Sequence, residues 1–164
     1  MIMHMLLNLM RKGGEQMSRT LMVANSILKR AFQDNVSISP MKLQKLVYFV
    51  YKKYLQDTGY ALFDERFEVW QYGPVLPSLY HAFKPYAANA IESYAVNEEG
   101  KVYTVDDKHK DFYNALSFVR DKYWYYSGMR LSELTHSDNS AWSKADSRGE
   151  LYILDDEIKI EGWA

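Results

Sequence analysis

The side chains able to do chemistry are few and scattered. The four histidines are His4, His81, His109 and His136. No two stand at the i, i+4 spacing that puts a pair on one helix face for a metal. His136 lies two residues before Asp138 and could orient a serine or share a metal with that carboxylate; the plainer reading is a helix-end histidine bonded to backbone. The chain has no cysteine, which removes disulfides, thiolate zinc sites and cysteine nucleophiles together. Apart from Gly13-Gly14 the glycines are dispersed, so no phosphate-cradling loop is expected. Asp155-Asp156-Glu157 could take a cation but reads better as an acidic helix start. Asp64, Glu65 and Glu68 are neighbours, yet nothing selects two of them as a general acid and base. This inventory points to binding rather than catalysis, with no catalytic residue, metal or cofactor expected.

The bulk properties narrow the class of partner. Basic and acidic residues nearly balance, 20 against 21, for a net charge of −1. That gives no electrostatic reason to expect nucleic acid or a membrane. Cysteine-free usage fits a reducing cytoplasm. Aromatics make up 15% of the chain and include 14 tyrosines; tyrosine joins an apolar body to a polar tip and serves both packing and interfaces. A length of 164 residues suits one domain with a real core.

The elements that must position these residues are mostly helices. Ser18 can cap a helix over 19–34, whose apolar residues Leu21, Ala24, Ile27, Leu28 and Ala31 recur at helical spacing. Ser39 caps a second, with Pro40 at its first position. Leu43, Leu46, Val47, Val50, Tyr54 and Leu55 form its buried stripe and Gly59 closes it. Lys42, Lys45, Lys52 and Lys53 on that helix are expected to lie on a solvated face. Residues 63–72 read as a short strand or extended segment, Gly73-Pro74 as a turn, and Pro77 as the start of a helix over 77–83. Residues 91–96 and 101–105, separated by Asn97-Glu98-Glu99-Gly100, suggest a β-hairpin. A helix over 107–127 should bury Phe112, Leu116, Val119 and Tyr123 and end in the cluster Tyr123-Trp124-Tyr125-Tyr126. Short helices follow at Leu131–His136 and from Ala141. The expected fold is mainly α: one compact helical domain, residues 17–164, with a small β-hairpin or short antiparallel sheet.

Residues 1–16 are read as a translated leader or disordered extension. Lys12-Gly13-Gly14-Glu15-Gln16-Met17 can be encoded as AAA GGA GGT GAA CAA ATG, which contains a bacterial ribosome-binding sequence ahead of an ATG. Met17 is then the natural start and the source bacterial, prophage or phage. The apolar run Met1–Met10 is too short to span a bilayer.

Several ordered features carry a family resemblance. They are Ser39-Pro40, Lys42-Leu43-Gln44-Lys45-Leu46, Tyr48-Phe49, Trp70, Tyr72-Gly73-Pro74-Val75, Pro77 and Tyr80, then Leu131-Ser132, Leu134-Thr135-His136 and Trp142. The chain resembles the Panacea domain, the SocA-like antitoxin family of phage-associated, GepA-like proteins, over residues 17–158. The resemblance implies a mainly helical fold with a small β element and an antitoxin that neutralises a protein toxin encoded by a neighbouring gene. Family members hold the toxin directly or deliver it to a cytoplasmic protease, so direct neutralisation and proteolytic adaptor are both implied roles. Lys42, Leu43, Lys45, Leu46, Tyr48, Trp70, Tyr72, Gly73, Pro74, Val75, Pro77, Tyr80, His136 and Trp142 carry over as motif residues, structural or binding. The tail after Trp142 is short, so a terminal partner-specific helix or fused module is expected to be absent. Partner-specific surface is expected at Tyr94 and Tyr103 in the irregular segment and at Trp124 and Tyr125 beyond the long helix, because variable loops carry specificity.

Overall fold

The computed structural model describes residues 17–164, so the leader expected at 1–16 lies outside the described residues. The chain begins with helix α1 (Arg19–Gln33), whose first turn is capped by the Ser18 hydroxyl accepting from Leu21 N. Helix α2 (Pro40–Thr58) follows, with the Ser39 hydroxyl accepting from Lys42 N and Gly59 at φ 77° closing its C-terminus. Both starts obey the same rule: a hydroxyl satisfies an amide that the helix cannot. A two-stranded antiparallel ribbon comes next, β1 (Glu68–Trp70) and β2 (Gly73–Val75), in register Glu68↔Val75, Val69↔Pro74 and Trp70↔Gly73. Helix α3 (Pro77–Phe83) leads into a 3₁₀ turn, Lys84–Tyr86. After an irregular stretch come α4 (Lys110–Tyr123), α5 (Gly128–Thr135), α6 (Ala141–Ser147) and α7 (Asp155–Ile160).

Helix α2 is the axis of the molecule. It packs against α1, α3, α4, α5, α7 and β2. Leu46, Val47, Tyr48 and Val50 are fully enclosed, and Leu43, Tyr54 and Leu55 nearly so. A central helix packed around most of its circumference keeps little polar face. Lys42, Lys45 and Lys52, expected in solvent, are buried. Each amine is rescued by a backbone carbonyl: Trp124 O at 2.7 Å for Lys42, Pro74 O at 2.9 Å for Lys45 and Gly162 O at 2.5 Å for Lys52. Only Lys53 keeps a surface role, pairing with Asp57 one turn on at 2.9 Å.

The β element is present but elsewhere than the 91–105 hairpin. The Asn97–Gly100 turn does form, through Asn97 N to Lys101 O at 2.8 Å and Gly100 N to Asn97 O at 2.9 Å. Its arms make no strand. The Asn25 carboxamide on α1 takes their backbone instead, donating to Ala95 O (2.9 Å) and Tyr103 O (3.0 Å) and accepting from Ala95 N (2.9 Å). Ser26 Oγ accepts from Val105 N at 2.9 Å. Backbone groups satisfied by a helix have no need of a strand partner. Gly73-Pro74 likewise opens β2, and the turn lies one step earlier at Gln71-Tyr72. The helix expected over 107–127 is shorter at both ends. Asp106 Oδ1 accepts from Lys108 N, His109 caps α4, and Ser127 caps α5 after a turn through Tyr126.

Candidate functional site

The family-motif residues converge on one short stretch of backbone. Between Trp70 and Leu76 the chain forms β1's end, the Gln71-Tyr72 turn and β2. Its carbonyls are taken by side chains from three different helices. Trp142 Nε1 on α6 donates to Trp70 O at 3.0 Å. His136 Nε2, at the end of α5, meets Gln71 O at 2.9 Å. Ser132 Oγ donates to Tyr72 O at 2.5 Å, and Lys45 Nζ donates to Pro74 O at 2.9 Å. Gln44 uses both ends of its amide on Leu76, accepting from its N and donating to its O, each at 3.0 Å. The separation of these residues in sequence, from 44 to 142, thus collapses into one clamp.

Glycine is required inside it. Gly73 sits at φ 108°, a conformation that side chains resist. A Cβ there would collide with Thr135 Oγ1 and approach Lys45 Cε to 3.2 Å. Lys45 is 1% exposed, and burial pushes its amine down to about 7 from 10.5. Burial also lowers Lys42 and Lys52, the latter opposed by the Glu161 carboxylate at 2.7 Å.

The clamp faces inward and its side chains face out. Tyr72 is 50% and Tyr80 38% exposed. Trp70 is half-buried, its ring 5.0 Å from that of Tyr80 and its indole N–H held by Glu68 Oε2 at 2.7 Å. Most of the remaining motif residues lie in the interior or open a helix. Leu43, Leu46, Tyr48, Pro74 and Val75 are buried, and Pro77 begins α3. His136 bonds backbone at a helix end and makes no metal site with Asp138; among the described residues no cluster of three metal-ligating side chains occurs. Asp155 accepts from Tyr51 Oη at 2.9 Å and Glu157 pairs with Arg148 at 2.7 Å, so the acidic run opens α7 as a structural feature.

The residues expected to meet a partner separate clearly. Tyr125 is 84% exposed. Tyr94 and Tyr103 are half-buried, Tyr94 edge-on to Phe32 at 5.3 Å. Trp124 is corrected: at 2% exposure its ring belongs to the hydrophobic core, and its carbonyl accepts from Lys42 on α2. Sequence reasoning did not single out Asn25, and it named Gln44 and Ser132 within the family features without a role; each bonds distant backbone. A signal for α2 was present: Lys42, Lys45 and Lys52 share a stripe with Phe49, an apolar residue out of place on a solvated face.

Fold and clamp together define a small, mainly helical domain in which five side chains from three helices hold one surface turn. The family described as "Antitoxin SocA-like, Panacea domain" matches residues 43–143, a span that includes every clamp residue. The chain belongs to this family. It is 27% identical over 124 residues to Antitoxin SocA of Caulobacter vibrioides (strain NA1000 / CB15N), an alignment covering 73% of this chain and 66% of that relative, just under two thirds of its length. No solved structure matches it. No helix among the described residues is long and apolar enough to cross a membrane.

Proposed function

We propose that this protein is an antitoxin that neutralises, by direct binding, a protein toxin encoded by a neighbouring gene. Membership of the antitoxin SocA-like family carries the reading. The mechanism is steric: a preformed surface covers the toxin or sequesters it, with no catalytic step. The rigid turn supports this, because a surface held by five side chains loses little freedom on binding. Trp70, Tyr72 and Tyr80 form the first binding face, and Tyr125 with Tyr94 and Tyr103 a second, since Trp and Tyr dominate interface hot spots. The site of action is the bacterial cytoplasm.

The test is co-expression. The protein should restore growth to cells making the neighbouring gene's product, and the two should co-purify. Tyr72→Ala and Tyr125→Ala should each weaken the complex by about 1–2 kcal/mol without unfolding the domain. Rescue accompanied by disappearance of the toxin, dependent on a cellular protease, would replace direct neutralisation with the adaptor role. Rescue that survives both tyrosine changes in a folded protein would overturn the assignment of these faces to the contact.

A further inference from the structure

The β ribbon has two unlike edges. On one side β1 pairs with β2, and on the other it meets residues 151–153. Val69 N donates to Leu151 O at 2.8 Å, Ile153 N donates to Phe67 O at 3.0 Å, and Glu68 stands opposite Tyr152 as an antiparallel bridge. The β2 edge is spent. Pro74, opposite Val69, has no N–H to offer, and its carbonyl is taken by Lys45. The far edge is open. Because Leu151 and Ile153 turn these bonding groups toward β1, Tyr152 turns both of its own away. Among the described residues neither the Tyr152 N–H nor its C=O has a hydrogen-bond partner. Buried backbone groups are paired, so this pair marks a surface. No device guards it: Leu151-Tyr152-Ile153-Leu154 holds no charge and no proline, and Leu151 is 56% and Leu154 40% exposed.

The ends of this strand carry one sign of charge in excess. Glu150 precedes it, and Asp155, Asp156 and Glu157 follow it. Arg148 is the one base among residues 148–157, and its own chain holds it through Glu150 at 2.9 Å and Glu157 at 2.7 Å. A second copy would bring the same excess of carboxylate to the junction, whereas a basic segment complements it. We propose that Leu151–Leu154 is the docking edge for an extended, basic segment of a protein partner, which joins the sheet as an added strand. The segment exchanges both backbone bonds with Tyr152, while its lysines or arginines meet the carboxylates at the strand ends. The Tyr152 ring is already covered by the Arg66 guanidinium at 4.3 Å, so recognition rests on backbone rather than on that side chain. Identifying the partner as the toxin rests on the function proposed above; the open edge does not.

Two measurements keep the edge and the antitoxin reading apart. In the first, a synthetic peptide of alternating valine and threonine with lysines at both ends is titrated into the ¹⁵N-labelled full chain, beside a counterpart ending in glutamates. The lysine peptide should shift the Tyr152 amide signal and slow its hydrogen exchange, and the glutamate peptide should bind at least about tenfold more weakly. No response at Tyr152 to the lysine peptide, or equal binding of the two, overturns the proposal. So does protection of that amide in the protein alone with a doubled mass in sedimentation, which gives the edge to a second copy. In the second, Tyr152→Pro and Tyr152→Ala are compared for binding to the neighbouring gene's product. Both lose the ring, but only proline loses the N–H, which the fold itself does not use. With melting temperatures alike, the proline variant should bind about tenfold more weakly than the alanine variant. Equal binding overturns the proposal and leaves the antitoxin reading standing. A product that does not bind the unsubstituted protein removes the antitoxin reading, and the peptide titration, which needs no variant to fold, then decides the edge.

Discussion

Lys45 shows how burial alters a residue whose type suggests the surface. Its amine has a carbonyl partner but is removed from water, and its value falls from 10.5 to about 7. The unfolded chain binds the proton up to its ordinary value, while the folded chain releases it near neutrality. Between those two points the unfolded state holds more protons, so stability rises with pH. Below about pH 7 both states are protonated and the burial penalty is at its full value. Lys45→Met should remove this dependence. Urea unfolding of both proteins at about pH 6 and about pH 9 checks it. The unsubstituted protein should gain on the variant at the higher pH, and a constant difference would contradict the assignment.

Among the elements, the segment 91–105 is fastened to α1 by two side chains, Asn25 and Ser26, of which Asn25 makes the most bonds. Asn25 supplies three hydrogen bonds to Ala95 and Tyr103. Asn25→Ala should therefore cost about 2–3 kcal/mol, because it leaves buried backbone groups without partners. Hydrogen exchange should accelerate over 91–105 while the amides of α2 stay protected. Uniform loss of protection would mean that the segment is part of the core rather than fastened to it. The β ribbon has an equivalent dependence on Gly73. Gly73→Val adds backbone strain of about 1–3 kcal/mol and drives a side chain into Thr135. Thermal unfolding should fall accordingly, and neutralisation should fail through folding. An unchanged melting temperature with lost neutralisation would place the turn at the binding contact itself.

Across the whole molecule, the last described residues are tied into the centre. The Glu161 carboxylate meets Lys52 Nζ at 2.7 Å, accepts from Tyr48 Oη at 3.1 Å and accepts from Ala141 N, opening α6, at 2.8 Å. Trp163 lies over Lys52, 4.0 Å from amine to ring, and donates to Gln56 Oε1 at 2.7 Å. Glu161→Gln keeps the shape and strands a buried cation, which should destabilise by about 3 kcal/mol. The double variant Lys52→Met, Glu161→Gln should cost less than the sum of its parts, because it removes the stranded charge as well. Additive losses in chemical unfolding would show that the pair is not coupled. This network joins α2, α6 and the region after α7, so the domain should unfold as one unit.

The local chain determined most of the helices, because their signals are local. Ser18 and Ser39 cap where they stand, Pro40 and Pro77 fit only a first turn, and Gly59 ends α2 in the conformation glycine permits. The sequence also determined the family, since the motif from Lys42 to Trp142 can be read in one dimension. Its purpose could not be read there. A side chain's partner is chosen by what the fold brings beside it, and Lys45, His136 and Trp142 meet the same seven residues of backbone only after α2, α5 and α6 have packed. The same reason explains the buried lysines: periodicity reports which face is most apolar, not that neighbours enclose most of the circumference of α2. It explains the missing hairpin too, because residues 91–105 hold strand-like patterning while their backbone bonds go to Asn25 and Ser26 on α1. Trp124 and Tyr125 adjoin in sequence and differ wholly in exposure, and the Trp124 carbonyl meets the Lys42 amine of another helix, a contact only the fold creates.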